Sequence, residues 1–342
     1  MKIKFLPFIN NTNGKKWREA REKEFLNGHG LVITKEINDI RTKKTSYGTD
    51  LAAYYRDLHE IKGKRQKAWL EILVNQTANL FSKELSKLSD EDKDPNKTTI
   101  VAALPEFFWY DINDNEKHND DIVFYHKPLY LENIVNCLTE ANPLSQLTVQ
   151  YPNLIIFAGT AMWKKINNEN HKDEEIFNSL IVYHSGEYHE SITKHNVSHI
   201  DGFGSYTIDP HTNKRVYNEV KHKAGESTFN IPPIITFNNL KFTVDICLDF
   251  VRGKYGTSAG KEIPVPLSRQ LCKDEHIDVN VLIAAGMPID SNTIPYLSEI
   301  NSPVLLRCDG LGLTHGEIIR RAGGSRVKCD ESKIIDCVEV NI

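Results

Sequence analysis

The sequence predicts a layered α/β protein built as a single domain. Three observations lead there. Amphipathic helical stretches alternate with short apolar runs of strand length, the order expected when helices pack on sheets. Those runs are spread along the whole of residues 1–342. No internal repeat or low-complexity linker divides them. At 342 residues, 40% hydrophobic and 26% charged, the chain has ordinary globular composition and can bury a sizeable core.

The elements follow in order. Met1–Ile9 reads as a first strand, closed by the turn formers Asn10-Asn11-Thr12-Asn13-Gly14. Residues 11–64 are polar and charged. They read as an excursion or insertion with one short helix, from about Asp50 to Ile61, whose apolar face is Leu51, Tyr54, Tyr55 and Leu58. A stronger amphipathic helix spans about Gln66 to Leu88, with Trp69, Leu70, Leu73, Thr77, Leu80, Phe81, Leu85 and Leu88 at helical spacing. The stretch Ser89–Asn96 breaks it, and Thr99–Leu104 is a buried strand.

A further helix is expected from Leu129 to Glu140, ended by Asn142-Pro143. Leu154–Thr160 is a strand. Ser179–Tyr183 and Tyr188–Lys194, joined by Ser185-Gly186, read as an antiparallel pair. Residues 195–230 read as a long functional loop. Strands follow at Phe242–Cys247, Asp278–Ala285, Pro303–Arg307 and Ile334–Val340, with a short helix near Leu267–Lys273.

Bulk properties exclude several roles. A net charge of −4 gives no electrostatic case for nucleic acid or an anionic membrane. No apolar run approaches the roughly 18 residues of a membrane span, and the N-terminus does not read as a signal peptide. The six cysteines form no C-x-x-C pair, and their low density suits a reducing compartment. A cytoplasmic protein is expected, with signal-independent export left open. The histidines of residues 184–222 (His184, His189, His195, His199, His211, His222) include an i, i+4 pair, His195 and His199. Asn196, Asp201 and Gly202 place that pair in a loop, so no metal site is expected.

Three residues carry the chemistry. Cys247 ends a strand, where a thiol can be held rigidly and still face a cleft. A free thiol is only a few per cent ionised at neutral pH and needs a base within reach. Glu106, after the apolar run 101–104, can be that base if Leu104, Phe107, Phe108 and Trp109 desolvate it. Lys194, after Ser191-Ile192-Thr193, offers a fixed positive charge for the oxyanion formed on attack. The backbone N–H of Leu248 is the natural second donor. Trp109, Tyr110, Trp163 and Arg252 are candidates for the wall of a substrate pocket; core packing is the competing reading for the three aromatics.

These pieces resemble the carbon–nitrogen hydrolase (nitrilase-like) superfamily. The matching segments are Leu104-Pro105-Glu106, Ala158-Gly159-Thr160, Asn178–Val182 with Gly186, Ile192-Thr193-Lys194, Gly225-Glu226 and Val244–Asp249. Val279–Ile283 with Met287-Pro288, and Pro303–Asp309, follow in the same order. The resemblance implies a four-layer α-β-β-α sandwich with mixed sheets, assembled as a homodimer or higher homo-oligomer. It implies cleavage of a non-peptide C–N bond of a small amide, N-carbamoyl compound or nitrile. The implied triad is Glu106, Lys194 and Cys247, acting through a thioacyl intermediate without metal or organic cofactor. A binding or regulatory protein that has lost catalysis, and an acyltransferase using the same thioacyl chemistry, are the alternatives.

The chain also departs from the family pattern. The 88 residues from Glu106 to Lys194 and the 53 from Lys194 to Cys247 imply insertions at 110–128 and 197–223. Leu248 replaces the usual aromatic, and the basic residue is displaced to Arg252. Ser205 stands where a second glutamate is expected, which leaves Glu219 as its substitute. The arginine-and-glutamate helix before Pro303 is unrecognisable.

Overall fold

A computed structural model describes residues 1–10, 12–112, 128–166, 174–195, 206–208, 215–217, 234–251, 253–258, 261–272, 274–287, 289, 304–311, 315–320 and 325–342. In chain order the elements are β1 (Lys2–Pro7), α1 (Thr12–Asn27), α2 (His29–Thr42), α3 (Leu51–Leu85), α4 (Asp90–Lys93), β2 (Thr98–Leu104), α5 (Leu131–Ile134), α6 (Pro143–Gln150), β3 (Leu154–Ile166), β4 (Glu174–His184) and β5 (Glu187–Thr193). There follow β6 (Tyr206–Ile208), β7 (Arg215–Tyr217), β8 (Ile235–Phe237), β9 (Leu240–Ile246), β10 (Gly253–Ser258), β11 (Lys261–Val265), α7 (Leu267–Leu271), β12 (Val279–Ala284), β13 (Val304–Asp309), β14 (Gly316–Arg320), β15 (Arg326–Lys328) and β16 (Val338–Asn341).

Two mixed six-stranded sheets form the centre, ordered β16-β1-β2-β3-β4-β5 and β15-β14-β13-β12-β9-β8. In the first, β1, β2 and β3 run parallel, and the pairs β16–β1, β3–β4 and β4–β5 are antiparallel. The second repeats that pattern: β9, β12 and β13 are parallel, and β8–β9, β13–β14 and β14–β15 antiparallel. Alternation along each strand sends one set of side chains between the sheets. Phe5, Val101, Ala103, Ile155, Phe157, Leu180 and Val182 face Phe242, Val244, Ile246, Val281, Ile283 and Leu306 there. The rings of Phe157 and Phe242 meet across the gap with centroids 6.0 Å apart. Fully burying each such side chain contributes about 1.5–3 kcal/mol, so this inner layer fixes the register of both sheets.

The opposite face of the first sheet carries the long helices. Trp69, Leu70, Leu73, Val74, Phe81 and Leu85 of α3 pack on Leu6, Ile100, Ala102, Leu104, Ile156 and Ala158. On the outer face of the second sheet Ser268 of α7 bonds Asp245 of β9, and a smaller apolar cluster gathers Phe250, Leu282, Met287, Leu305 and Ile319. The result is the four-layer α-β-β-α sandwich that the family resemblance implied.

Two stretches differ from expectation. Residues 12–64 are helical almost throughout, and the two helices expected at 50–61 and 66–88 are one, α3. Nothing between them breaks the pattern except Gly63, whose missing side chain leaves room for the Tyr130 ring 3.4 Å from where a Cβ would stand. The helix expected at 129–140 is short, continues as a π-helical turn over Val135–Thr139, and is followed by a new helix, α6. Asn142-Pro143 both ends the first and starts the second: the Asn142 side chain accepts from the N–H groups of Leu144 and Ser145, and proline at the first helical position needs no donor. Within residues 195–230, read as loop, β6 and β7 form a short antiparallel pair.

Candidate active site

The site lies where one edge of each sheet ends. β2 is buried along its full length, and at Pro105-Glu106 the chain turns off the sheet. The Glu106 N–H reaches across to the Ala284 carbonyl at the end of β12 (3.3 Å), which also accepts from Gly310 (2.8 Å). Phe107 has φ 58°, in the left-handed region. Its N–H donates to Thr160 Oγ1 (2.8 Å), and the Trp109 N–H donates to the Thr160 carbonyl (3.3 Å). This close fit requires Gly159: φ is 68°, and a Cβ there would stand 2.6 Å from the Pro105 carbonyl oxygen. The bulge that Gly159 makes in β3 therefore seats the turn that carries Glu106.

Lys194 follows β5. Ile192 points between the sheets, so Lys194, two residues on, points the same way. Its N–H donates to the Asn178 carbonyl (2.8 Å), one step past the Ser179–Thr193 pair. Its ammonium is 2.8 Å from Glu106 Oε1, and the two side chains are 2% and 0% exposed. Asn178 Nδ2 donates to the same Oε1 (2.9 Å). Desolvating such a pair costs several kcal/mol, which close contact and added hydrogen bonds offset.

Cys247 follows β9 directly, at the start of a 3-10 segment, Cys247–Val251. Its φ of 48° takes the thiol out of the strand's alternation. It is half-buried, against the inner core on one side and the outer cluster on the other. Burial pushes its pKa far above the usual thiol range. The charge of the Glu106 carboxylate pushes it further; the charge of Lys194 and the Ala285 backbone act against it. Burial therefore favours the neutral thiol over the thiolate. The structure thus brings Glu106, Lys194 and Cys247 together from three strand ends.

Other candidates lie elsewhere. Trp109 and, at their partly buried margins, Tyr110 and Trp163 belong to the core on the helical side of the first sheet. They occupy the opposite face from the carboxylate, ammonium and thiol, so core packing is the reading their positions support. Trp163 stacks on Phe177 (centroids 4.2 Å apart) and its indole N–H bonds Ser179 Oγ. Leu248 sits in the 3-10 segment just past the thiol. Glu219 and Arg252 lie outside the described residues, as do His199, His211 and His222. Among the described residues no group of three His, Cys, Asp or Glu side chains is placed to hold a metal ion, and no helix is long and apolar enough to cross a membrane.

Three supporting residues lay in segments matched to the family but were given no role from the sequence. Asn178 was visible as an amide in an otherwise apolar inward-facing alternation, Asn178, Leu180, Val182. Asp249 is 4% exposed, and its Oδ2 accepts the N–H of His195 (3.0 Å), so the segment carrying the thiol also ties down the residue after the lysine. Asp309, fully buried, accepts from the N–H groups of Gly286 (2.7 Å), Met287 (3.1 Å) and Leu311 (2.8 Å) and pairs with Arg307. It fixes the turn after β12, which touches both Glu106 and Cys247.

No family model and no curated protein matches the chain. Among solved structures, similar chains include a variant of the amidase from Nesterenkonia sp. AN1 bearing the acetamide moiety of fluoroacetamide on its active-site cysteine (12% identity, 71% of this chain and 76% of that one, TM-score 0.38). Another variant, described as an amidase from the nitrilase superfamily, covers 74% of this chain and 84% of its own at 12% identity and TM-score 0.39. The glutamine-dependent NAD+ synthetase from Acinetobacter baumannii aligns over 80% of this chain but 43% of its own (12% identity, TM-score 0.42). At that level of likeness the residues of the site, not the neighbours, decide what chemistry is available.

Proposed function

We propose that the protein is a carbon–nitrogen hydrolase of the nitrilase type, acting on a non-peptide bond of a small amide, N-carbamoyl compound or nitrile. One observation carries the reading: a buried carboxylate holds an ammonium at 2.8 Å, and the charges of both act on the thiol of Cys247. For an amide, Cys247 Sγ attacks the carbonyl carbon as its proton passes to Glu106. Burial raises the thiol pKa, so a base is needed to take that proton. Charge develops on the carbonyl oxygen, where the Lys194 ammonium and the Leu248 N–H are the donors. Collapse breaks the C–N bond, and Glu106 returns the proton to the departing amine. Water, deprotonated by Glu106, then attacks the thioester carbon; the C–S bond breaks, the acid leaves, and Glu106 returns the proton to the Cys247 sulfur.

The test is ammonia or amine release from a panel of amides, N-carbamoyl compounds and nitriles, read together with intact-protein mass. The wild type should turn over a member of the panel and show an acyl adduct that maps to Cys247. Cys247→Ala should stay folded by circular dichroism, show no adduct and release nothing. Undiminished turnover in that variant would sink the proposal.

A further inference from the structure

The helices α1 and α3 have no part in the chemistry just described, yet they are built onto the run of chain that follows Glu106. After Glu106 the chain runs through Phe108, Trp109, Tyr110 and Asp111 to Ile112. Each end of that run is held by the N-terminal helices. Trp17 of α1 packs edge-on against Phe8 (5.7 Å), and Phe8 packs edge-on against Phe108 (5.1 Å). One turn further along α1, Glu22 accepts the Tyr110 hydroxyl, and the Arg18 guanidinium lies over the Tyr110 ring (5.9 Å). From α3, the Trp69 indole donates to the Tyr110 carbonyl (2.9 Å) and Arg65 Nη2 to the Ile112 carbonyl (2.9 Å). Arg65 is 3% exposed and also lies 3.8 Å from Asp111. A buried guanidinium spent on a main-chain carbonyl is a costly way to hold a loop, unless the position of that loop matters.

We propose that α1 and α3 are a clamp on residues 107–112 that sets the position of the Glu106 carboxylate against Cys247 and Lys194, with Glu22, Tyr110 and Arg65 as positioning residues. The proposal rests on the reading of Glu106 as the general base. Tyr110 keeps its proton because burial and the Glu22 carboxylate push its pKa well above the usual phenol range, so it remains a donor across the working pH range. The polar groups Arg18 and Glu22 of α1 then have a structural reason: they meet the run after Glu106 at Tyr110.

The test uses the pH dependence of Cys247 alkylation by iodoacetamide, with labelling mapped to that cysteine by peptide mass. The groups facing the thiol are the Glu106 carboxylate, which raises its pKa, and the Lys194 ammonium, which lowers it. Glu106→Gln provides the reference: the midpoint should fall. In Glu22→Ala and Arg65→Met the carboxylate is freed to drift, so the midpoint should move part of the way toward the reference, with kcat reduced about tenfold and KM within about twofold. Glu22→Gln, which keeps an acceptor for the Tyr110 hydroxyl, should restore the wild-type profile. A purely structural role would lower thermal stability and leave the midpoint in place, and that result overturns the clamp. If Arg65→Met fails to fold, Glu22→Ala and Tyr110→Phe, both at the margin of the core, decide the matter by themselves. If Glu106→Gln leaves the midpoint unmoved, the general-base reading itself has failed, and the clamp with it.

Discussion

Lys194→Met separates the two duties of the ammonium. Its side chain is 2% exposed and sits 2.8 Å from Glu106 Oε1, so methionine fills much the same volume while removing the charge. The first effect is on the reaction. Loss of one aimed donor in a dry site costs about 3–4 kcal/mol of transition-state stabilisation, or roughly 100- to 1,000-fold in kcat. The second effect is on stability. Glu106 loses its counter-ion in a buried site, where breaking such a pair costs about 3–5 kcal/mol if the carboxylate stays charged. The carboxylate escapes that cost by taking up a proton, so in the variant its folded-state pKa rises above the unfolded value. A carboxylate raised in this way destabilises the fold above its folded-state pKa and ceases to do so below the unfolded one. The stability deficit of Lys194→Met should therefore be largest at pH 8 and shrink toward pH 4. Steady-state turnover at pH 7.5 and urea unfolding at both pH values test the two arms. A loss of less than about fivefold in kcat would refute the oxyanion role, and a deficit independent of pH would refute the buried pairing.

Two further expectations follow from neighbouring groups. Asp249→Ala releases the N–H of His195 and with it the placement of Lys194, so kcat should fall. In a double-mutant cycle with Lys194→Met the losses should be clearly less than additive, and full additivity would show that Asp249 acts by another route. Asp245 is buried against Ser268 and Asn280, and burial raises its pKa to about 6 despite hydrogen bonds from both that lower it. Its folded pKa lies above the unfolded value of 3.8, so the penalty is absent below about pH 4 and complete above about pH 6, on the order of 3 kcal/mol. Wild-type stability should fall relative to Asp245→Asn across that window, and parallel stability–pH curves would contradict the burial argument.

What could be read from the sequence was decided by whether the signal was local. The inner strands Thr98–Leu104 and Val279–Ala284 are mostly apolar, with Asn280 the one polar residue after the two threonines that open the first, as strands buried on both faces tend to be, and they were legible. So was the pairing of Ser179–Tyr183 with the strand after the turn residues Ser185 and Gly186, both with positive φ, although the observed strand begins earlier, at Glu174. The strands Ile235–Phe237, Gly316–Arg320 and Arg326–Lys328 went unseen. Each is three to five residues long, and two of them carry charged residues whose partners are remote: Arg307 of the neighbouring strand and Arg326 both pair with Glu317. The N-terminal helices were missed for the opposite reason. α1 has almost no apolar stripe, and its anchor points, Trp17 and Glu22, find their partners only after folding.

The backbone at the site explains why its strand ends are not simply strand ends. Cys247 and Phe107 are two of five described non-glycine residues with positive φ, and one bears the thiol while the other directly follows the carboxylate. A β-carbon in that region costs on the order of 1–3 kcal/mol, and it persists only where surrounding contacts overrule the local preference. At Phe107 the overruling contact is its N–H on Thr160 Oγ1, with the Glu106 N–H bound to Ala284 beside it. At Cys247 it is the seat between two apolar clusters, with Asp249 anchored two residues later. Without the left-handed turn, Cys247 would continue the alternation of β9 toward Asp245 on the outer face, away from Glu106 and Lys194. The strain is what carries the thiol to the carboxylate. Residue identity alone does not signal it, since neither cysteine nor phenylalanine favours that conformation and no glycine marks either place.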